Sequence, residues 1–90
     1  MNHLTPAEIQ DHLKNLPGWT YDSSLRTTRT FPDFAGAMVF VNRIAELAEA
    51  ANHHPDLDIR YNKVMISLIS HDAGGVTNRD IKMAKQISAL

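Results

Sequence analysis

A proline at position 55 interrupts the longest helical pattern in the chain, and this break constrains the fold more than any other feature of the sequence. Before it, after a potential cap at Asp33, apolar residues recur at helical spacing: Phe34, Met38, Val41, Ala45 and Ala48. The residue before a proline is disfavoured in the helical region. We therefore expect the helix to end at about Asn52 or His53 and a different element to follow.

The segment before this helix predicts one shorter helix and a hairpin. Thr5, Pro6 and Glu8 have the spacing of a capping box with proline in the first helical position, and "LPGW" ends the pattern. From Trp19 to Phe31 the sequence is rich in strand-forming residues, and "DSS" at positions 22–24 interrupts them. Two antiparallel strands joined by a turn are the expected result.

The segment after Pro55 predicts a second hairpin and a closing helix. Two strands are expected in "DLDIRYNKVMISLISH", joined near Tyr61 to Lys63, and His71 is expected at the end of the second strand. Alternation places Val64, Ile66 and Leu68 on one face of that strand. "DAGG" then predicts a turn, and Thr77 with Asp80 forms a second capping box.

The resulting order is α-β-β-α-β-β-α, which predicts an α+β fold: a four-stranded antiparallel sheet with three helices packed on one face. With 90 residues, the chain is long enough for one domain but not for two, so residues 1–90 are expected to form a single domain. A domain this small would gain stability by burying a face against identical copies, which favours a homo-oligomer.

Composition excludes several classes of function. The net charge is −1 and basic residues form no cluster, which argues against direct nucleic-acid binding. The absence of cysteine rules out disulfides, thiol catalysis and thiolate metal sites. No signal peptide or apolar run of membrane-spanning length is present, so we expect no membrane association and a cytoplasmic location.

Carboxylate and imidazole side chains cluster where the long helix ends. Glu49 and His53 are four residues apart, so on a helix they would share a face and the carboxylate could orient or charge the ring. A histidine in the last helical turn is also favoured as a cation by the helix dipole. His54 follows directly, and Pro55 is expected to turn it toward the same space.

Structural explanations compete with the functional ones. His53 could simply close a helix, His71 could be an ordinary surface histidine, and Asp80 could serve only as a cap. Trp19 is better explained as core than as a platform for ligand stacking. The residues alone leave acid-base catalysis and a zinc site almost equally favoured, although adjacent histidines rarely bind one ion together.

The combined pattern resembles the pterin-4a-carbinolamine dehydratase family. The likeness rests on "GW" at 18–19, "YNKV" at 61–64, "RDI" at 79–81 and seven spaced positions: Glu49, His53, His54, Pro55, Tyr61, His71 and Asp80. It covers most of the chain. The family's fold, as this resemblance implies it, matches the element order derived above and assembles as homodimers or homotetramers.

The resemblance implies dehydration of the 4a-hydroxytetrahydropterin released by aromatic amino acid hydroxylases, in an active site without metal or cofactor. It implies His53, His54, His71 and Asp80 as catalytic residues, with Glu49, Trp19 and Pro55 near the substrate. Asn52 stands where some members carry an acidic residue. Some animal members also bind a transcription factor as a dimerisation cofactor, so a regulatory protein-binding module is the alternative function.

Overall fold

The computed structural model describes residues 2–90, which form three α-helices, four β-strands and one short 3-10 helix. In chain order these are α1 (Pro6–Leu13), β1 (Thr20–Asp22), β2 (Ser24–Thr30), α2 (Phe34–Ala51), β3 (Asp56–Arg60), β4 (Lys63–Leu68), the 3-10 helix (His71–Ala73) and α3 (Asn78–Ser88). The predicted order of helices and strands is confirmed. The 3-10 helix was not predicted.

The helices begin at the residues that the sequence indicated, because each has a side chain that accepts backbone N–H groups at its first turn. Thr5 caps α1 with Glu8 in a capping box, and the Asp33 carboxylate accepts the Gly36 N–H at 2.7 Å at the start of α2. Thr77 caps α3, where Asp80 completes a second capping box. These caps fix the residue at which each helix starts.

The four strands form one antiparallel sheet in the order β1-β2-β4-β3. The central pair, β2 and β4, is in register from Leu25 opposite Leu68 to Thr30 opposite Lys63. Strand β3 pairs with β4 at the outer edge, starting with Asp56 opposite Ser67. The start of β3 and the end of β4 therefore lie at the same end of the sheet.

One face of the sheet packs against the helices and forms the core. Val64, Ile66 and Leu68 are at most 1% exposed, as their alternation predicted, whereas Met65 and Ser67 on the opposite face are only partly covered. Full burial of such a side chain stabilises the fold by about 1.5–3 kcal/mol. The helices contribute six further large core side chains: Ile9, Phe40, Ile44, Ile81, Met83 and Ile87.

The end of β4 differs from the sequence prediction. The strand stops at Leu68, and Ser70 forms an isolated bridge with Gly75, so the chain leaves the ladder before His71. His71 is the first residue of the 3-10 helix rather than the last of a strand. Among residues 2–90, no helix combines the length and the apolar character needed to span a bilayer.

Candidate active site

The C-terminus of α2 determines where the two adjacent histidines lie. Asn52 adopts the left-handed conformation with φ 49°. Its N–H donates to the Glu49 carbonyl at 3.3 Å, and the His53 N–H donates to the Ala48 carbonyl at 3.1 Å. This pair of bonds is a Schellman motif, which asparagine supports because it tolerates positive φ better than most residues. The chain reverses at Asn52, so His53 lies outside the helix.

His53 contacts a buried carboxylate that lies 27 residues further along the chain. Its Nε2 atom lies 2.6 Å from Oδ1 of Asp80, and the side chains are 10% and 0% exposed, respectively. A distance this short is typical of a charge-assisted hydrogen bond. Asp80 thereby holds the imidazole in one orientation and places a negative charge beside it.

The second oxygen of Asp80 is held by its own buried network. Oδ2 accepts the Ser70 hydroxyl at 2.8 Å and the Thr77 backbone N–H at 2.9 Å. Because the Ser70 hydroxyl donates to Asp80, its oxygen accepts from the Thr77 hydroxyl, 2.8 Å away. All three residues are at most 4% exposed. The network leaves the carboxylate little freedom to turn, and therefore fixes His53 as well.

The contact with Asp80 distinguishes the two nitrogens of the His53 ring. Nε2 faces the carboxylate and carries the hydrogen of that bond. Among residues 2–90, no side-chain polar atom is both fully buried and unpaired, and no described residue bonds to Nδ1, so Nδ1 keeps some access to solvent although the side chain is only 10% exposed. Nδ1 is therefore the atom of this ring that can exchange a proton with a ligand.

The expected pairing of Glu49 with His53 is wrong. The Glu49 carboxylate Oε2 instead contacts Nε2 of His54, and both side chains are largely exposed. The prediction assumed that His53 continued the helix, where residues four apart share a face. The turn at Asn52 removes His53 from that face, and the dipole argument for a last-turn position fails for the same reason.

His71 and Pro55 lie at the same end of the sheet as His53. Pro55 directly precedes β3, whose first residue pairs with Ser67 near the end of β4. His71 follows Ser70, whose hydroxyl bonds to Asp80, and is exposed at the start of the 3-10 helix. His53, His54 and His71 therefore all lie at the end of the sheet where β3 begins and β4 ends, and of the three only the His53 side chain bonds to α3 in the described residues.

Trp19 lies elsewhere in the chain. It is 6% exposed within the core, as packing arguments predicted, and its indole N–H donates to the Ser88 hydroxyl at 2.8 Å. Ser88 ends α3, whereas Asp80 lies in its first turn, and eight residues of helix span about 12 Å. Within one chain, the structure therefore does not bring Trp19 together with His53.

An ion pair joins the 3-10 helix to α3. Arg79 Nη2 donates to Asp72 Oδ1 at 2.5 Å, and the Arg79 backbone N–H donates to the Thr77 hydroxyl at 3.2 Å. The hydrogen bond from Arg79 lowers the pKa of Asp72, and the same bond raises the pKa of Arg79. Both groups are therefore charged near neutral pH.

Sequence reasoning missed part of this arrangement. Nothing in the pattern around Ser70 indicates that its hydroxyl reaches Asp80, since a serine near a strand end is common. Asp72 is equally inconspicuous, whereas Arg79 lies within the "RDI" segment that the sequence singled out. The seven-residue spacing between Asp72 and Arg79 crosses a turn, so it gives no periodic signal.

The positions of the histidine and carboxylate side chains can be compared with those that a zinc site requires. Among residues 2–90, no group of three or more histidine, aspartate or glutamate side chains has the geometry to hold a metal ion. His53 Nε2 is already occupied by Asp80, and His54 Nε2 by Glu49. A recess of about 350 Å³ lies on the helix-free face of the sheet between Arg26, Asp56 and Met65, and none of the histidines lines it.

The fold and the site together define a class of small α+β proteins with a histidine-carboxylate centre at one end of the sheet. The chain belongs to the pterin 4 alpha carbinolamine dehydratase family, whose model matches residues 2–90. This confirms the resemblance drawn from the sequence.

Relatives and a solved structure agree. A protein of Acidobacterium capsulatum named for pterin-4-alpha-carbinolamine dehydratase is 50% identical, covering 100% of this chain and 99% of its own. One of Nostoc punctiforme with the same name is 53% identical over 97% and 95%. A crystal structure from Brucella melitensis, described as a transcriptional coactivator/pterin dehydratase, superposes with a TM-score of 0.94 at 36% identity, covering 98% and 97%.

Proposed function

We propose that this chain, acting as a single domain, dehydrates 4a-hydroxytetrahydropterin to quinonoid dihydropterin and water. The reaction would recycle the pterin cofactor of aromatic amino acid hydroxylases. The observation that carries the proposal is the 2.6 Å contact between His53 and the buried Asp80 in a chain of this family. A histidine oriented by a buried carboxylate, with its second nitrogen free, is suited to proton transfer near neutral pH.

The reaction requires two proton movements. One proton is delivered to the 4a-hydroxyl as the carbon-oxygen bond breaks and water leaves. Another is removed from the adjacent ring nitrogen as the carbon-nitrogen double bond forms. The number of protons bound by the enzyme is unchanged at the end, so one acid and one base suffice.

His53 is the proposed acid. Its Nδ1 has no partner in the described residues and would meet the substrate hydroxyl, while Asp80 compensates the charge of the protonated ring. His54 or His71 is the proposed base. Glu49 orients His54 rather than His53, and the left-handed turn at Asn52 takes both histidines off the axis of α2. Glu49 and Pro55 are proposed to border the substrate. Trp19 would act on the site only through the packing of α3.

The mechanism uses neither metal nor cofactor, because both proton movements are assigned to imidazoles. A cysteine-free chain suits the reducing conditions of the cytoplasm, where we propose that the protein acts.

The test is direct measurement of dehydration. Purified protein is mixed with enzymatically generated 4a-carbinolamine, and the formation of quinonoid product is followed in the ultraviolet. We expect acceleration over the spontaneous rate, unchanged after dialysis against a chelator. A rate equal to that of buffer would reject the dehydratase. Activity that disappears with the chelator and returns with zinc would reject the metal-free mechanism.

The second candidate is a regulatory protein-binding function, supported by the coactivator description of the Brucella melitensis structure. Assembly into homodimers or homotetramers is proposed for either function. Phe34 and Val39 on α2 are 49% and 55% exposed, which is typical of residues that pack against another subunit. Light scattering after size-exclusion chromatography gives the mass in solution, and a monomer at micromolar concentration would contradict the oligomer.

A further inference from the structure

The segment that carries His71 is a short turn, closed at its base by backbone hydrogen bonds between Ser70 and Gly75. The 3-10 helix His71–Ala73 is closed by hydrogen bonds from Ala73 to Ser70 and from Gly74 to His71. Gly74 takes φ 70° to turn the chain back. These bonds are internal to the segment. Within residues 2–90, the His71 side chain has no hydrogen-bond partner, so its position depends on what ties this turn to the rest of the fold.

The side chains on both sides of His71 provide that tie, Ser70 through its hydrogen bond to Asp80 and Asp72 through an ion pair. Asp72 accepts a hydrogen bond from Arg79, which lies between Thr77 and Asp80 in the first turn of α3. Asp80 in turn holds His53. One turn of helix therefore connects to both histidines, to His53 through Asp80 and to His71 through Arg79 and Asp72. The two connections share the first turn of α3.

A stabilising role alone explains this ion pair poorly. The side chains of Arg79 and Asp72 are 37% and 63% exposed, and ion pairs at such positions contribute little to stability because water and salt screen them. Their hydrogen bond nevertheless makes each charge more persistent, since Arg79 lowers the pKa of Asp72. A contact with little effect on unfolding can still have a large effect on catalysis, because catalysis is sensitive to small displacements.

We infer that Asp72 and Arg79 are positioning residues that hold His71 at a working distance from His53. The inference rests on the proposed dehydratase function. Loss of the ion pair would leave the protein folded and substrate binding largely intact, but would allow the 3-10 helix to change its position. The expected signature is a lower kcat with little change in KM, because His71 would be misplaced in the transition state rather than removed from the surface.

The experiment compares Asp72→Asn, Arg79→Gln, the double variant and Arg79→Lys. Each single neutral variant is expected to lower kcat roughly 10- to 100-fold, since a displacement of about 1 Å can cost that much. The double variant should lose no more than either single one, because both remove the same contact. Arg79→Lys keeps the charge and should recover part of the rate. Asp58→Asn, which breaks the exposed Asp58–Arg60 pair, is the matched control and should behave as wild type.

A second readout does not depend on activity. The His71 imidazole resonances are followed by NMR, and in Asp72→Asn they should shift and broaden while those of His53 stay in place. Equal kcat in wild type and all variants, or losses that multiply in the double variant, would overturn the inference. An inactive wild-type protein would instead reject the proposed function, and unperturbed His71 resonances would then reject the positioning role independently.

Discussion

His53 Nε2 and Asp80 Oδ1 lie 2.6 Å apart although 27 residues separate them in the chain. The contact joins the segment after α2 to the first turn of α3, the same turn that Asp80 caps. The two oxygens of this carboxylate therefore have different structural roles. Oδ2 closes the helix N-terminus and Oδ1 orients the histidine, so the residue that builds the local fold also builds the candidate active site.

Replacing Asp80 with Asn should separate the effect of this residue on helix capping from its effect on His53. The amide keeps the shape of the side chain and can still accept the Thr77 N–H, but it cannot compensate a charged imidazole and can reverse its tautomer. We expect kcat to fall by roughly 100-fold or more while the far-ultraviolet circular dichroism stays native. Unchanged kcat in a folded Asp80→Asn protein would contradict the role assigned to the contact.

Replacing each adjacent histidine tests which of them is the acid. His53→Ala should lower kcat roughly 100-fold or more, because a positioned general acid contributes about that much. His54→Ala should have the smaller effect on stability, since its side chain is 55% exposed. Steady-state rates and thermal unfolding of both variants provide the comparison. If only His54→Ala loses activity, the acid is His54 and its partner is Glu49.

Replacing Asn52 tests the helix end that directs His53 away from α2. An alanine at positive φ is expected to cost about 1 kcal/mol in free energy of unfolding, whereas Asn52→Gly should be neutral or stabilising. Urea unfolding measures both. Equal stability of the alanine and glycine variants would show that the left-handed conformation is not a constraint, and the rate of Asn52→Gly reports whether the turn itself suffices for activity.

Glu49→Gln probes the exposed contact with His54. Because the Glu49 side chain is 77% exposed, the melting temperature should not change measurably. If Glu49 orients a base, kcat/KM should fall by up to about fivefold, the equivalent of a weak surface ion pair. Glu46→Gln, on the same helix and also exposed, is the control. A fall of more than about 100-fold would make Glu49 itself a participant in the proton transfer.

The stability of the fold should decrease in acid for an identifiable reason. Hydrogen bonds from Thr5 lower the pKa of Glu8, and the hydrogen bond from Arg79 lowers the pKa of Asp72. A carboxyl group whose pKa is lower in the folded state adds stability above its unfolded pKa and loses it as the pH falls through the folded value. Because both groups are exposed and screened by solvent, the effect is small, and melting temperatures measured from about pH 6 to pH 3 should decline slightly below about pH 5.

Glu8→Gln and Asp72→Asn should each flatten that decline, because each removes one titrating group. The two effects should add, since the groups lie on separate elements, α1 and the 3-10 helix. If the melting temperature of both variants depends on pH as it does in the wild type, other carboxyl groups cause the loss of stability in acid.

The sequence by itself determined the elements and the identity of the candidate residues. Caps, prolines and alternation are local signals, so Thr5, Asp33 and Pro55 marked element boundaries, and Val64, Ile66 and Leu68 marked the buried face of β4. The family pattern also named every histidine in the site.

Tertiary structure alone decided which side chains meet. Helical spacing predicted a contact between Glu49 and His53. Because the chain turns at Asn52, Glu49 instead contacts His54, and His53 contacts Asp80. Ser70 also belongs to the site only through tertiary structure, because its contact with Asp80 joins the end of β4 to α3. Periodicity carries information only along one element, whereas these contacts form where the packing of the sheet against α3 brings separate elements together.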